Sequence, residues 1–341
     1  MGIKGMQGSP IPESYAGPGK ESGLWWDPKD ANATILDRDM KGEEILTLAG
    51  IDWEVEKRPV AFPGPSGNPF GVEYPGYGIF APDARAIVRK TDDRYYGIVT
   101  PTYELFQNHE GADFMARVLD EADGLSAHTA GSLYGGKIVW ILAKFDHDIH
   151  VKGDGSPIEG YMMGYWGHDG RHALNVLNTQ IRVFCGNTAS AAIAGARQKI
   201  AIRHTKNMGS RVEDARKALD INLQYREAFE LTMNSLAAKP IRLSEFKDFT
   251  EALWPANPEV ENPYATIHKR DALVDLYRTS ENLVIIPETY YRAYQATVEF
   301  MDHRVEYRDT KKGAATDNRA FSIIEGPTAA TKDRALALLL K

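Results

Sequence analysis

No stretch of about 18 consecutive apolar residues occurs in this chain, so no segment reads as a membrane-spanning helix. The opening Met1-Gly2-Ile3-Lys4-Gly5-Met6 also lacks the apolar core of a secretory signal. Only one cysteine, Cys185, stands among the 341 residues, which excludes an intramolecular disulfide and a cysteine-based zinc cluster. The residue itself reads as a small buried apolar group at a strand end. These absences lead to the expectation of a cytoplasmic protein without membrane partners. The punctuation of hydrolytic and nucleotide-driven chemistry is missing too: there is no His-Glu-x-x-His, no Gly-x-Ser-x-Gly and no phosphate loop ending in Gly-Lys-Ser/Thr. No catalytic residue, cofactor or metal is therefore expected, although carboxylates are plentiful and leave a metal-dependent nuclease as an alternative. The run Asp146-His147-Asp148-Ile149-His150 follows a strand, where neighbours point to opposite faces, so its side chains do not converge as metal ligands. His168 and His172 flank a Gly-containing turn and read as solvated.

What is present is an uneven distribution of charge. The net charge is −7, but residues 1–178 carry −10, residues 179–217 carry +6 and residues 218–341 carry −3. Local fields survive such averaging. The basic segment holds Arg182, Arg197, Lys199, Arg203, Lys206, Arg211, Arg216 and Lys217, with His204 among them.

Patterning places this segment in an α+β protein with an antiparallel sheet core and a helical C-terminal region. Residues 1–45 are rich in Gly, Pro and Asp around the pair Trp25-Trp26 and read as an extended arm; 46–236 read as the α+β core and 237–341 as the helical region. A helix is expected at Glu43–Leu48 and strand character at Ile51–Glu56. The stretch from Pro59 to Pro82, with six prolines, is expected to be loop or hairpin. Strands follow at Ala86–Arg89 and Tyr95–Val99. Asn108 is a candidate N-cap for a helix with the stripe Phe114, Met115, Val118 and Leu119. A meander comes next, at Lys137–Phe145, Gly160–Trp166 and about His172–Phe184, the first of these apolar on both faces and so covered on both. Gly186-Asn187-Thr188 opens an Ala-rich helix to about Arg197, and Lys199–Arg203 is a short strand. Ser210-Arg211-Val212-Glu213 has the form of a capping box for a long helix with Val212, Ala215, Leu219 and Leu223 on its core face. Further helices are expected at 244–254, 264–280, 288–306 and 328–340.

Along the last meander strand, Leu177, Thr179, Ile181 and Val183 share one face and Asn178, Gln180 and Arg182 the other. The polar row could follow a sugar–phosphate backbone, since same-face residues repeat at about 6.6–6.8 Å. Arg197, Lys199, Arg203, His204, Lys206 and Arg211 would add contacts to phosphates. Tyr161, Tyr165 and Trp166 on the adjoining strand could stack on bases. The expected partner is single-stranded DNA; the alternative for the same charges is an acidic protein surface, in a structural or host-interaction protein.

The segments Gly50–Pro59, Phe106-Gln107-Asn108, Thr129–Leu133, Arg182–Thr188, Ile202–Thr205 and Asn318–Phe321 resemble those of a family of phage- and plasmid-encoded proteins, catalogued as domain of unknown function 932, over roughly residues 45–340. The resemblance implies a mobile-element origin, and the cytoplasm of a host cell if the chain is phage-encoded, but transfers no activity. The order of helix, strand meander and helix is also similar to single-strand annealing proteins of the phage Erf and eukaryotic Rad types. That likeness implies a DNA-annealing or recombination protein without nucleotide hydrolysis, assembled from its own copies as a ring or filament.

Overall fold

A computed structural model describes residues 32–62, 79–172, 174–182, 187–188, 199–202, 208–256 and 263–341. The chain opens with β1 (Asn32–Ile35), α1 (Glu43–Leu48), β2 (Val55–Phe62), β3 (Ile79–Arg89), β4 (Tyr95–Val99) and α2 (Asn108–Glu121). The meander is β5 (Leu125–Leu133), β6 (Ile138–Phe145), β7 (Ile158–Gly167) and β8 (Leu174–Arg182), followed by β9 (Asn187–Thr188) and β10 (Lys199–Ile202). Helices complete it: α3 (Met208–Ala237), α4 (Leu243–Leu253), α5 (Pro263–Thr279), α6 (Glu281–Val284), α7 (Tyr290–Glu299) with a π-helical turn at Phe300–Arg304, α8 (Ala315–Ile324) and α9 (Pro327–Leu339). The main sheet runs β1-β5-β6-β7-β8-β10, with β9 also on β8, and β2-β3-β4 form a second sheet. Among the described residues every strand pairing is antiparallel, so the α+β class is as the patterning indicated.

The main sheet is covered on both sides, which is why β6 is apolar on both faces. On one side Val139, Ile141, Ala143, Met162 and Trp166 pack against Phe114, Met115 and Val118 of α2. The approach is close because Gly111 has no side chain; a Cβ there would lie 2.6 Å from the Trp166 ring. On the other side Trp140, Leu142, Tyr161, Met163, Tyr165, Leu177 and Ile181 lie with Ala320 and Ile323 of α8. A third core is helical and joins Tyr225, Phe229, Met233 and Leu236 of α3 to Phe246, Leu273, Tyr277 and Tyr291.

Because α3 is 30 residues long, it serves two cores. Ala215, Ala218 and Leu219 belong to the sheet–α2 core, and Tyr225 onward to the helical one. The buried stripe continues through Asn222 to Tyr225, leaving Leu223 44% exposed rather than on the core face. Ser210 lies inside this helix, which starts at Met208, and so does not cap it.

Other expectations are revised for local reasons. Asn32–Ile35 pairs with Ile35 opposite Thr129 and Leu36 is buried, so the arm does not extend to residue 45. The proline-rich stretch, by contrast, takes one of the two forms expected of it: β2 and β3 at its ends pair antiparallel as a hairpin, with a register shift where β2 passes through Pro59. Proline is tolerated there because a bulge on an edge strand needs no amide at that position. The cap of α2 is Gln107, whose backbone N–H donates to Glu110 Oε2 at 2.9 Å, and Asn108 is already helical. Asn187-Thr188 pair with β8 as strand instead of opening a helix; Cys185 and the expected helix to Arg197 lie outside the described residues.

Candidate nucleic-acid interface

The strand alternation in β8 is as expected, but the polar face is interior. Asn178, Gln180 and Arg182 are all fully buried. Arg182 donates from Nε and from Nη2 to the two carboxylate oxygens of Asp154, each at 2.6 Å, and both side chains are completely out of solvent. Asp154 also accepts from Tyr291 Oη of α7 at 2.7 Å and from the Ser156 amide at 3.0 Å. Asn178 Nδ2 donates to the Asn222 carbonyl of α3 at 3.0 Å, and Gln180 donates to Asn178. The row is thus a buried hydrogen-bonded ladder beneath α3 and α7, not an open track. Alternating polar residues signal two faces of a strand; they do not say whether the polar face is wet.

Tyr165 and Trp166 are adjacent on β7 and so point to opposite sides of the sheet. Both are buried, Tyr165 with the α8-facing residues and Trp166 against α2, where its Nε1 donates to Asn108 Oδ1 at 2.9 Å. Tyr161 is buried as well, with its hydroxyl donating to Glu159 Oε2 at 2.6 Å. None of the three presents a ring face for stacking in this structure.

The remaining basic positions divide by location. Lys199, Arg216 and Lys217 are exposed on β10 and α3. Lys199 pairs with Glu325 and lies 5.3 Å from the centre of the Tyr165 ring. Arg216 donates from Nε and Nη2 to Glu121, at 2.9 and 3.2 Å. Arg211 falls in the first turns of α3, its side chain outside the described set, and Arg197, Arg203, His204 and Lys206 lie outside the described residues altogether. Arg182 in the interior and Lys199 and Arg216 at the surface are therefore each met by a carboxylate drawn from outside the basic segment.

Two constellations were not legible beforehand. In the first, His128, Lys144, Glu159 and Tyr161 gather on the α8 side of the sheet. Lys144 pairs with Glu159, and His128 stands edge-on to the Tyr161 ring at 5.2 Å with Nδ1 2.6 Å from Thr129 Oγ1. Burial raises the Glu159 carboxyl against the pull of Lys144, while burial and the neighbouring Lys144 lower His128 to about 4. Glu159 accepts from both Lys144 Nζ and Tyr161 Oη, so these three form one hydrogen-bonded run beside the His128 ring. The four residues sit on three strands that only the register brings side by side. The second constellation is centred on Asn108, whose Oδ1 accepts from Trp166 and meets His168 Nε2 at 2.8 Å while Nδ2 donates to the carbonyls of Ile51 and Trp53. His168 is buried rather than solvated, and burial lowers it to about 3 despite Asp169 nearby. Among the described residues, no three His, Cys, Asp or Glu side chains form a set that could hold a metal ion.

These histidines make stability pH-dependent. Both are neutral when folded, with values below the ordinary 6.5, so above that pH they contribute no proton linkage. As pH falls, the unfolded chain takes up protons first, and stability is lost progressively from pH 6.5 down to about 4 for His128 and about 3 for His168. The expected loss between pH 8 and pH 5 is about 2 kcal/mol per histidine. Urea midpoints across that range measure it, and replacing His168 with Asn should remove about half the slope. A flat profile would show that these rings protonate in the folded state without penalty.

The family model described as Domain of unknown function (DUF932) matches residues 95–322, two thirds of the chain. The chain belongs to the DUF932 family. The DUF932 match runs from the start of β4 nearly to the end of α8 and so contains the whole meander, the buried ladder and the basic segment. Among curated proteins and among solved structures nothing matches the chain, so the likeness to annealing proteins rests on element order alone. Among the described residues no helix is long and apolar enough to cross a membrane.

Proposed function

We propose that this chain binds single-stranded DNA and promotes its annealing or recombination for a phage or plasmid, without nucleotide hydrolysis, as a ring or filament of its own copies. The observation that carries the reading is the +6 segment at 179–217, whose described cations beyond Arg182, namely Lys199, Arg216 and Lys217, are at the surface of an otherwise acidic chain. The order α2, meander, α3 is consistent with it. The contact set is now different from the one read off the strand: phosphates would meet residues 197–217, and Asn178, Gln180 and Arg182 would hold the scaffold beneath them.

A salt titration with a labelled single-stranded oligonucleotide tests this. Each phosphate contact should contribute about −0.7 to the slope of log K against log salt. Changing Arg197, Lys199 and Arg203 together to Ala should flatten the slope by about 2. No binding by the wild type at low salt would end the reading in favour of a structural or host-interaction role. An activity that appears only with divalent metal, and vanishes with carboxylate substitutions, would point instead to a nuclease. Mass photometry on the same samples reads out rings.

A further inference from the structure

We infer that Glu325 and Glu121 are resident counter-ions that stand where phosphate groups of the DNA bind, so that the protein carries its own competitor for Lys199 and Arg216. This rests on the DNA-binding reading and goes beyond it to how affinity is set.

The two pairs share an unusual construction. Lys199 is in register with Leu177, whose side chain lies on the α8 side of the sheet, and it emerges there to meet Glu325. Glu325 is the C-terminal cap of α8. On the other side of the sheet, Arg216 of α3 meets Glu121 across the contact between α3 and α2, and Glu121 is the last residue of α2. Both carboxylates thus sit at helix C-termini, where the helix dipole disfavours negative charge and a Lys or Arg would be favoured. Neither helix has a basic residue in its last turn to offset this. In each case the compensating cation comes instead from the basic segment. Two helices ending on the disfavoured sign, each facing a cation of the one basic segment, is what stability alone would not select; rule-breaking of this kind concentrates at functional sites.

Exposure then separates releasable from fixed cations. Lys199 and Glu325 are 39% and 19% exposed, and Arg216 and Glu121 57% and 32%, whereas Arg182 and Asp154 are both at 0%. Exposed ion pairs contribute little to stability, so a phosphate can replace the carboxylate at small cost. The two-pronged geometry of Arg216 on Glu121 is one that a phosphate can take over directly. Arg182 cannot make that exchange without emptying the core of its counter-charge.

The test is the double variant Glu121→Gln with Glu325→Gln, titrated with labelled oligothymidylate against salt beside the wild type. Glutamine keeps size and helix propensity and removes only the charge. The expected result is several-fold tighter binding at a given salt and a slope steeper by about 0.7 for each cation released, about 1.4 for the double variant. Thermal unfolding of the double variant should match the wild type, because the lost pairs and the relieved dipole conflict oppose each other. If the wild type binds and the variant has the same or a shallower slope, the counter-ion role is wrong and the DNA reading stands. If neither protein binds, both fall together. Binding by the variant alone would support both and show the competition to be strong.

Discussion

Changing Asp154 to Ala should cost the fold about 3–5 kcal/mol, the usual penalty for stranding one partner of a buried ion pair. Three kinds of donor converge on that carboxylate: the Arg182 guanidinium twice, the Tyr291 hydroxyl and the Ser156 amide. The strand β8, the 146–157 connection and α7 are tied through it, so the loss should be global and not confined to one loop. Urea unfolding should show a lower midpoint with an unchanged m-value. A double change of Asp154 to Leu with Arg182 to Met should recover much of the stability, since apolar replacements of a buried pair are often neutral or better. A loss below about 1 kcal/mol in Asp154→Ala would mean that Arg182 is readily solvated. It would then return to the candidate phosphate contacts, so the measurement bears on the interface as well as on the core.

The second large effect is expected at Asn108. Its amide uses both donors and both acceptor sites, on Ile51, Trp53, Trp166 and His168, and it is 1% exposed. Asn108→Ala would leave those partners buried and unmet, at about 1–3 kcal/mol for a typical orphaned group. Because such losses are not additive, about 3–5 kcal/mol in total is expected. Gln107→Ala next to it removes a half-buried two-way bond to the Val55 backbone and should cost less. Denaturant midpoints of the two variants give the comparison. Equal small losses would show that water fills the place of the Asn108 amide.

The architecture was legible because it follows local rules. Two-sided apolar character in β6 marked a covered strand, the Phe114, Met115, Val118 and Leu119 stripe marked α2, and the spacing of apolar residues located α4, α5 and α9 within a residue or two. The family was legible too, from short segments such as Thr129–Leu133 and Asn318–Phe321 that lie within the matched span. The strand face at Asn178, Gln180 and Arg182 was located correctly and interpreted wrongly. A period of two fixes which residues share a face, and what then lies on that face depends on elements far along the chain: Asp154 is 28 residues before Arg182, Asn222 is 44 after Asn178, and Tyr291 is 137 after Asp154.

The amino-acid sequence by itself determined the class of fold, most of the central strands and helices, the family and the position of the basic segment, since composition, periodicity and charge are properties of neighbours in the chain, but not β1, β9 or α8. Only the tertiary structure decided which of those charges are available. It buried Arg182 on Asp154, placed Glu325 and Glu121 against Lys199 and Arg216, and drew His128, Lys144, Glu159 and Tyr161 together from three strands. The physical reason is that solvation and pairing of a charge depend on what packs within a few ångströms of it, and sheet register and helix docking, not sequence distance, set that.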